Sequence, residues 1–216
     1  MQELNPFLAP EQLAITTDIL DLSALLKRAM PSYSENQAQL IVISVIKHFC
    51  ESANPIFVQS HTGTGKSWLI IMVAVYLLKN YNLNIVIVAP TCYLTGRSYE
   101  QFRPVFSLLE IPVAREVLGA KVCFITSENL MKTPLATYDP KHYALLIDEA
   151  DREIFDRAVE KKTGTIRKFI FKSAFLSAFA KVICLSGSIG GIEEGDVMRA
   201  HYFEPKIISV PRLQNS

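Results

Sequence analysis

The chain has 216 residues, which is long enough for one domain with a substantial hydrophobic core. Hydrophobic residues make up 50% of the sequence and charged residues 20%, a composition that excludes intrinsic disorder. The formal net charge of +1 gives no global electrostatic attraction to nucleic acid or to an anionic membrane, so any such partner must be recognised locally.

Cysteine spacing and the lack of long apolar segments predict a soluble, cytoplasmic protein. The 4 cysteines contain neither a C-x-x-C pair nor a Cys/His spacing suited to zinc. Cys123 and Cys184 fall inside predicted strands and are expected to be buried thiols, which favours a reducing compartment. The N-terminal residues lack the basic start of a secretion signal. Lysines interrupt the longest apolar stretches before they reach the roughly 18–20 residues that span a bilayer.

Helical and strand-like segments follow one another along the chain. An amphipathic helix near residues 10–30 belongs to a predicted N-terminal helical extension over residues 1–33, and a second helix is predicted near 34–47. The later predicted elements are strand 56–60, helix 66–80, strand 84–89, helix 93–109, strands 121–126 and 143–148, helix 167–180, and strands 181–186 and 206–210. This alternation predicts an α/β domain over residues 34–212, with a mostly parallel sheet, helices on both faces and a tail over 213–216.

The segment after the first predicted strand, Ser60–Ser67, reads SHTGTGKS and is typical of a phosphate-binding loop. A glycine-rich turn that opens a helix directs backbone N–H groups and the positive end of the helix dipole at one anion. Its glycines let the backbone approach the phosphates. Lys66 would reach the β- and γ-phosphates, and Ser67 would hold Mg²⁺. The loop residues expected to bind ATP are Thr62, Gly63, Thr64, Gly65, Lys66 and Ser67.

A second motif, Tyr143–Asp151, is an apolar run that ends in adjacent acids and reads YALLIDEAD. It predicts a strand buried on both faces, whose carboxyl end lies at the same sheet edge as the phosphate loop. Strand alternation predicts that Asp148 serves the metal shell while Glu149 points toward a water in line with the γ-phosphate. Glu149 and Lys66 are therefore the predicted catalytic residues, and ATP and Mg²⁺ the predicted cofactors.

The ordered motifs resemble those of the first RecA-like motor lobe of superfamily 2 helicases and translocases, including a DEAD-like tetrad that ends at Asp151. The resemblance implies a P-loop NTPase fold, a three-layer sandwich. It also implies roles for five further residues: Gln37 at the adenine edge, Thr91 and Thr126 against the translocated polymer, and Ser186 and Ser188 in coupling the nucleotide and polymer sites.

Within that superfamily the chain resembles the nucleotide-binding domain of SecA, the preprotein-translocase ATPase, and of SecA-like proteins. The stretches that carry this likeness are Val58–Ser67, Tyr93–Arg97 with Arg103–Phe106, His142–Asp151, Leu185–Gly190 followed by Glu193 or Glu194, and Tyr202 with Ile208–Pro211. Three features depart from SecA. Thr64 replaces an acid and matches DEAD-box helicases instead. The preprotein cross-linking domain has no counterpart between Asp151 and Leu185, and the sequence stops at Ser216 before a second lobe.

The resemblance leaves three functions open. A translocase lobe would act on polypeptide, whereas a helicase lobe, favoured by Thr64 and Asp151, would act on RNA or DNA. The third possibility is a nucleotide-switched binding module without turnover. In such motors the second lobe supplies arginines that raise the rate by roughly 10³–10⁵. We therefore expect low ATPase activity until a second lobe arrives in trans or within a longer chain.

Two surface or core features complete the sequence-based expectations. Phe171, Phe175 and Phe179 recur every four residues on a predicted helix, which predicts a core-facing stripe rather than a partner groove. A nearby basic cluster is expected to be a solvated face, with contact to nucleic-acid phosphates or peripheral contact with lipid headgroups as the alternative. Its members are Lys161, Lys162, Arg167, Lys168 and Lys172.

Overall fold

The computed structural model describes residues 21, 23–25, 27–28, 55–59, 65–150, 171, 173–187 and 206–209. These residues form a sheet of 7 strands in which every neighbouring pair is parallel. In chain order the strands are β1 (Ile56–Gln59), β2 (Asn84–Ala89), β3 (Val113–Arg115), β4 (Val122–Thr126), β5 (Tyr143–Ile147), β6 (Lys181–Ser186) and β7 (Lys206–Ser209). Across the sheet they lie in the order β3-β4-β2-β5-β6-β1-β7, so β6 separates the strands that carry the two motifs.

Helices cover both faces of this sheet. Their bounds are α1 (Lys66–Tyr81), α2 (Cys92–Leu108), α3 (Ser127–Lys132) and α4 (Ser173–Leu176), with 3-10 turns at Leu135–Thr137 and Pro140–His142. Every residue of α1 from Leu69 to Leu77 is buried, because this helix is apolar on all sides. The described residues between 21 and 28 are also helical, and Leu25 packs against the same core as α1.

Alternate strand residues divide the hydrophobic core between the two faces of the sheet. Ile85 and Ile87 of β2 lie in one buried cluster with α1 and α2, whereas Val86 and Val88 lie in another with Leu130 of α3. The strands at the centre of the sheet are therefore buried on both faces, which explains their continuous apolar sequences. Cys123 and Cys184 belong to the second cluster and are buried free thiols, as predicted.

The structure confirms the predicted fold class and most of its elements. The six predicted strands all form, within one residue of their expected ends where those ends are described. The prediction missed β3 because three residues after Pro112 are too few to show an alternating pattern. It also missed α3 and the 3-10 turns. The helix predicted near 34–47 lies outside the described residues.

The helix predicted over 167–180 is wrong at its C-terminal end, since within the described part of that range only α4 is helical. The N–H of Ala180 bonds to the carbonyls of Pro140 and Tyr143, at 3.2 and 3.1 Å, instead of continuing a helix. The chain thereby turns directly into β6. The core-facing stripe is nevertheless confirmed, because Phe171 and Phe179 are buried and Phe175 lies between them with ring centroids 5.5 and 5.3 Å away.

Within the part of the chain that the structure describes, no helix combines the length and the apolar character needed to cross a membrane.

Candidate nucleotide-binding site

The N-terminus of α1 lacks the features that normally satisfy a helix start. Its cap is Gly65, which adopts a left-handed φ of 84° and offers no side-chain acceptor. The first turn contains no acidic residue and instead begins with Lys66. A positive charge at the positive end of a helix is unfavourable unless an anion lies nearby. This local arrangement therefore suits an anionic ligand such as a phosphate.

The structure brings the glycine-loop motif and the acidic motif together. The Lys66 Nζ atom donates a hydrogen bond to Glu149 Oε1 at 3.2 Å, and the two form an ion pair across 83 residues of sequence. The Lys66 side chain is only 12% exposed. Because α1 starts at Lys66 itself, its side chain is held against the turn after β5 rather than in a solvated loop.

Asp148 and Glu149 lie in a turn rather than at the end of the strand. β5 ends at Ile147, although the Asp148 N–H still bonds to the Val88 carbonyl at 2.9 Å. Glu149 has a left-handed φ of 51°, and its N–H donates to Asp148 Oδ1 at 3.0 Å. The two acids do point to different partners, but strand alternation was the wrong reason. The turn and its internal hydrogen bond direct them.

Asp148 lies in a cleft that raises its proton affinity. Burial, with a further contribution from the charge of Glu149, raises the pKa of Asp148 from 3.8 to about 6. The charges of Lys66 and Arg97 and the hydrogen bond from the Glu149 backbone act in the opposite direction. A carboxylate that burial makes costly to ionise gains more from a bound cation than an exposed one would.

The donor set of this cleft fits Mg²⁺. Ser67, Ser98 and Asp148 are its polar lining, and apolar residues of α1, α2, β2 and β4 complete it. Mg²⁺ prefers hard oxygen donors and is usually held by one or two protein groups together with substrate phosphates and water. The Ser67 hydroxyl and the Asp148 carboxylate are groups of that kind, and both line the same cleft.

The other predicted site residues are placed less completely. Ser186, at the end of β6, is fully buried and pairs in register with Gln59 of β1, beside the phosphate-loop strand. Thr91 is exposed and caps α2, whereas Thr126 is 5% exposed and caps α3. Five predicted residues lie outside the described residues, namely Gln37, Thr62, Gly63, Thr64 and Ser188.

Glu116 is a site-adjacent residue that the sequence did not indicate. It has a left-handed φ of 59° after the short edge strand β3. Its Oε2 atom accepts hydrogen bonds from the Thr126 N–H at 3.2 Å and from Asn129 Nδ2 at 2.8 Å. Its Oε1 atom is buried without a hydrogen-bond partner among the described residues. Since β3 itself was not predicted, no sequence signal connected this glutamate to the start of α3.

Comparison with known proteins gives a family match and a shared fold. The model of the DEAD/DEAH box helicase family matches residues 36–189, which is more than half of the chain. No curated protein matches the sequence. A hypothetical ATP-dependent RNA helicase from Sulfolobus tokodaii has a similar structure, with a TM-score of 0.56 and 19% identity, over 94% of this chain and 57% of that one.

Two further solved structures are similar at comparable distance. The UvsW helicase from bacteriophage T4 has a TM-score of 0.55 and 17% identity, over 78% of this chain and 58% of that one. The Hef helicase domain of Pyrococcus furiosus has a TM-score of 0.54 and 23% identity, over 80% of this chain and 38% of that one. At these identities the likeness concerns the fold. The chain spans less than two thirds of each of the three structures.

Proposed function

Because the chain belongs to the DEAD/DEAH box helicase family, we propose that it is an ATP-binding motor lobe that acts on nucleic acid. The observation that carries the proposal is the convergence of Lys66, Glu149, Asp148 and Ser67 at one edge of the sheet. Thr64 and Asp151 in the two motifs favour a helicase over a protein translocase. A cytoplasmic location is part of the same proposal.

In this proposal Lys66 exchanges one anionic partner for another. In the structure it is paired with Glu149 at 3.2 Å. With nucleotide it would bind the β- and γ-phosphates, and the released Glu149 would orient the attacking water. Asp148 and Ser67 would hold Mg²⁺, which supplies charge neutralisation at the phosphates when bound. The backbone of Thr62, Gly63 and Thr64 would bind the phosphates, and Gln37 would contact the adenine.

Turnover by this chain is expected to be slow without a second lobe. Positioning and charge stabilisation dominate phosphoryl transfer, and an arginine supplied from a neighbouring lobe is worth roughly 10³–10⁵ in rate. Among the described residues, the positive charge that pairs with Glu149 is that of Lys66. We therefore propose that a second RecA-like lobe, in trans or in a longer chain, is the partner that completes the ATPase, and that Ser186 and Ser188 couple it to polymer binding.

A protein translocase is the second candidate, and the five SecA-like stretches favour it. The deciding experiment measures ATP hydrolysis by the chain with no polymer, with RNA, with DNA and with an unfolded polypeptide. We expect stimulation by RNA or DNA that weakens steeply as salt rises, because phosphate contacts release counterions. Glu149→Gln provides the background in every arm.

Each other outcome of that experiment selects a different function. Stimulation by the unfolded polypeptide without any effect of RNA or DNA would select the translocase. Tight Mg-ATP binding without turnover under all conditions would select a nucleotide-switched binding module. If Mg-ATP did not bind at all, the assignment of Lys66, Asp148 and Glu149 to a nucleotide site would be wrong.

A further inference from the structure

An arginine from the edge strand of the sheet is fastened to the first turn of α2. Arg115 is the last residue of β3, and its Nη2 atom donates a hydrogen bond to the Cys92 carbonyl at 3.3 Å. The guanidinium carries five N–H donors in a planar fork. That hydrogen bond uses one donor, and Arg115 is exposed at the carboxyl end of β3, so the group remains accessible to a ligand.

Gly96 makes room for this guanidinium. A Cβ atom on Gly96 would lie 3.0 Å from Arg115 Cζ and 3.0 and 3.1 Å from its two terminal nitrogens. Gly96 lies inside α2, where glycine is a poorer helix former than alanine. Its presence there is explained by the close approach of Arg115, because the guanidinium rests where a side chain would otherwise project.

The surroundings of Arg115 are positive and aromatic. Tyr93 follows the hydrogen-bonded Cys92 and is 76% exposed, and Arg97 is exposed one residue beyond Gly96. Among the described residues neither Arg97 nor Arg115 has a carboxylate within ion-pair distance. The neighbouring Glu116 is committed to the start of α3. Among the described residues, therefore, two exposed arginines without a direct ion-pair partner lie near an exposed ring on the first turns of α2, although the charge of Arg97 also acts on Asp148.

We propose that Arg115, seated over Gly96, binds a backbone phosphate of single-stranded nucleic acid and that Tyr93 stacks on a neighbouring base. The inference rests on the proposed function and adds to it two contact residues and one positioning residue. A planar guanidinium suits a phosphate, and an exposed aromatic ring beside positive charge is the usual platform for unpaired bases. Gly96 acts through Arg115 and is the positioning residue.

The placement of α2 connects this surface with the nucleotide cleft. Ser98 and Phe102 of α2 line the cleft that contains Ser67 and Asp148. The charge of Arg97, also on α2, partly opposes the rise that burial causes in the pKa of Asp148. The same helix therefore presents one side to the ATP site and its first turn to the polymer surface. A shift of α2 that accompanies ATP binding would change the position of Tyr93 and of the Cys92 carbonyl.

The test measures binding of a fluorescein-labelled uridine oligonucleotide to the full chain by anisotropy over a salt series. Arg115→Gln should weaken binding severalfold and reduce the slope of log affinity against log salt by about 0.7, the value for one phosphate contact on a single strand. Tyr93→Ala should weaken binding about fivefold or more with the slope unchanged, and Tyr93→Phe should restore it. Arg103→Gln, at an exposed arginine farther along α2, is the matched control and should leave both quantities unchanged.

Gly96→Ala separates a positioning role from a merely structural one. The new methyl group meets only the far end of a flexible side chain, so the fold should persist while the guanidinium moves. Binding should weaken toward the level of Arg115→Gln. The double variant Gly96→Ala/Arg115→Gln should bind no more weakly than Arg115→Gln, because both changes remove the same contact.

The outcomes distinguish the inference from the function on which it rests. If the unaltered chain binds the oligonucleotide and both Arg115→Gln and Gly96→Ala bind it equally well, the inference is overturned and the proposed function stands. If the unaltered chain binds neither the uridine oligonucleotide nor its deoxythymidine counterpart, both are overturned. Competition by an unfolded polypeptide in place of the oligonucleotides would assign this surface to protein.

Discussion

Among the described residues, three helices have a defined start at the same edge of the sheet, and one of these starts without a side-chain cap. α2 begins after Thr91, whose hydroxyl accepts the Leu94 N–H at 3.2 Å, and α3 begins after Thr126, whose hydroxyl accepts the Asn129 N–H at 3.3 Å. α1 begins after Gly65 with no such acceptor. The two threonines are also the residues that the helicase resemblance assigns to the polymer.

This difference divides the edge into two kinds of surface. At α1 the backbone donors are left for an external anion, and the charged groups around them are largely buried. At α2 and α3 a threonine hydroxyl satisfies one backbone donor of the first turn, and the exposed groups near α2 are side chains such as Tyr93, Arg97 and Arg115. The following experiments test this comparison: the backbone at the start of α1 would recognise phosphate, whereas near α2 exposed side chains would do so.

The largest effect is expected from Glu149→Gln, which should lower stimulated ATP turnover about 100-fold or more, as the loss of a positioned general base does. Mg-ATP should bind as tightly or more tightly, because Lys66 no longer has to leave a carboxylate at 3.2 Å. Single-turnover hydrolysis and nucleotide titration measure the two quantities. Glu128→Gln, which breaks the exposed Lys132–Glu128 pair, is the matched control and should leave turnover unchanged.

Lys66→Ala should weaken Mg-ATP binding roughly 10- to 100-fold, the cost of a lost charge-assisted hydrogen bond. Trp68 packs edge-on against Phe102 with ring centroids 5.2 Å apart, and its fluorescence can report the titration. Lys132→Ala removes an exposed lysine in a similar pair and serves as control. Unchanged affinity in Lys66→Ala would contradict the view that the open end of α1 holds the phosphates.

The sequence predicted the central strands of the sheet better than the short edge strand β3 and its contacts. Continuous apolar runs at β2, β4 and β5 marked strands buried on both faces. The carboxyl ends of β1 and β5 bring Lys66 and Glu149 to one place. Such patterns are visible because burial selects side-chain type along the whole element. The relation of Arg115 to Gly96 has no such pattern, since it depends on a three-residue strand meeting a helix from elsewhere in the chain.

Local backbone conformation was the second feature beyond the reach of the sequence. Glu116 and Glu149 both adopt left-handed φ values, at 59° and 51°, where glycine or asparagine would be the expected residue. Glu116 is held by hydrogen bonds from Thr126 and Asn129 that form only in the folded sheet. Glu149 is held by the local bond of its N–H to Asp148 and by the long-range bond from Lys66. The direction of Glu149 was therefore predicted from the wrong geometry, and its ion pair with Lys66 was not predicted.

The burial of Asp148 should also make the free energy of unfolding depend on pH. The pKa of Asp148 is raised from 3.8 to about 6, so the folded state holds this proton more tightly than the unfolded state. Its contribution favours folding at low pH and is lost as pH rises from about 4 to about 6. Asp148→Asn should therefore be more stable than the unaltered chain by about 3 kcal/mol at pH 7, without nucleotide or Mg²⁺.

Urea unfolding at a series of pH values measures this contribution. The advantage of Asp148→Asn should shrink steeply as pH falls to about 4 and vanish at about pH 3 and below, where the aspartate is protonated in both states. Glu100→Gln, at an exposed acid on α2, should run parallel to the unaltered chain. An advantage that did not change with pH would mean that packing, rather than the cost of ionising Asp148, separates the two proteins.

The smallest effects should come from the capping threonines, and they separate capping from polymer contact. Thr91→Ala and Thr126→Ala should each lower the free energy of unfolding by about 1 kcal/mol, and replacement by serine should restore it.

Thr126 is 5% exposed and its hydroxyl is already engaged by Asn129, so oligonucleotide affinity of the folded protein should be unchanged in Thr126→Ala. Thr91 is exposed, and Thr91→Ala should also weaken that affinity, because its hydroxyl can accept the Leu94 N–H while donating its proton to a phosphate. Equal losses of affinity in both variants would mean that the polymer path reaches across α3 and that the surface around Arg115 is only one part of it.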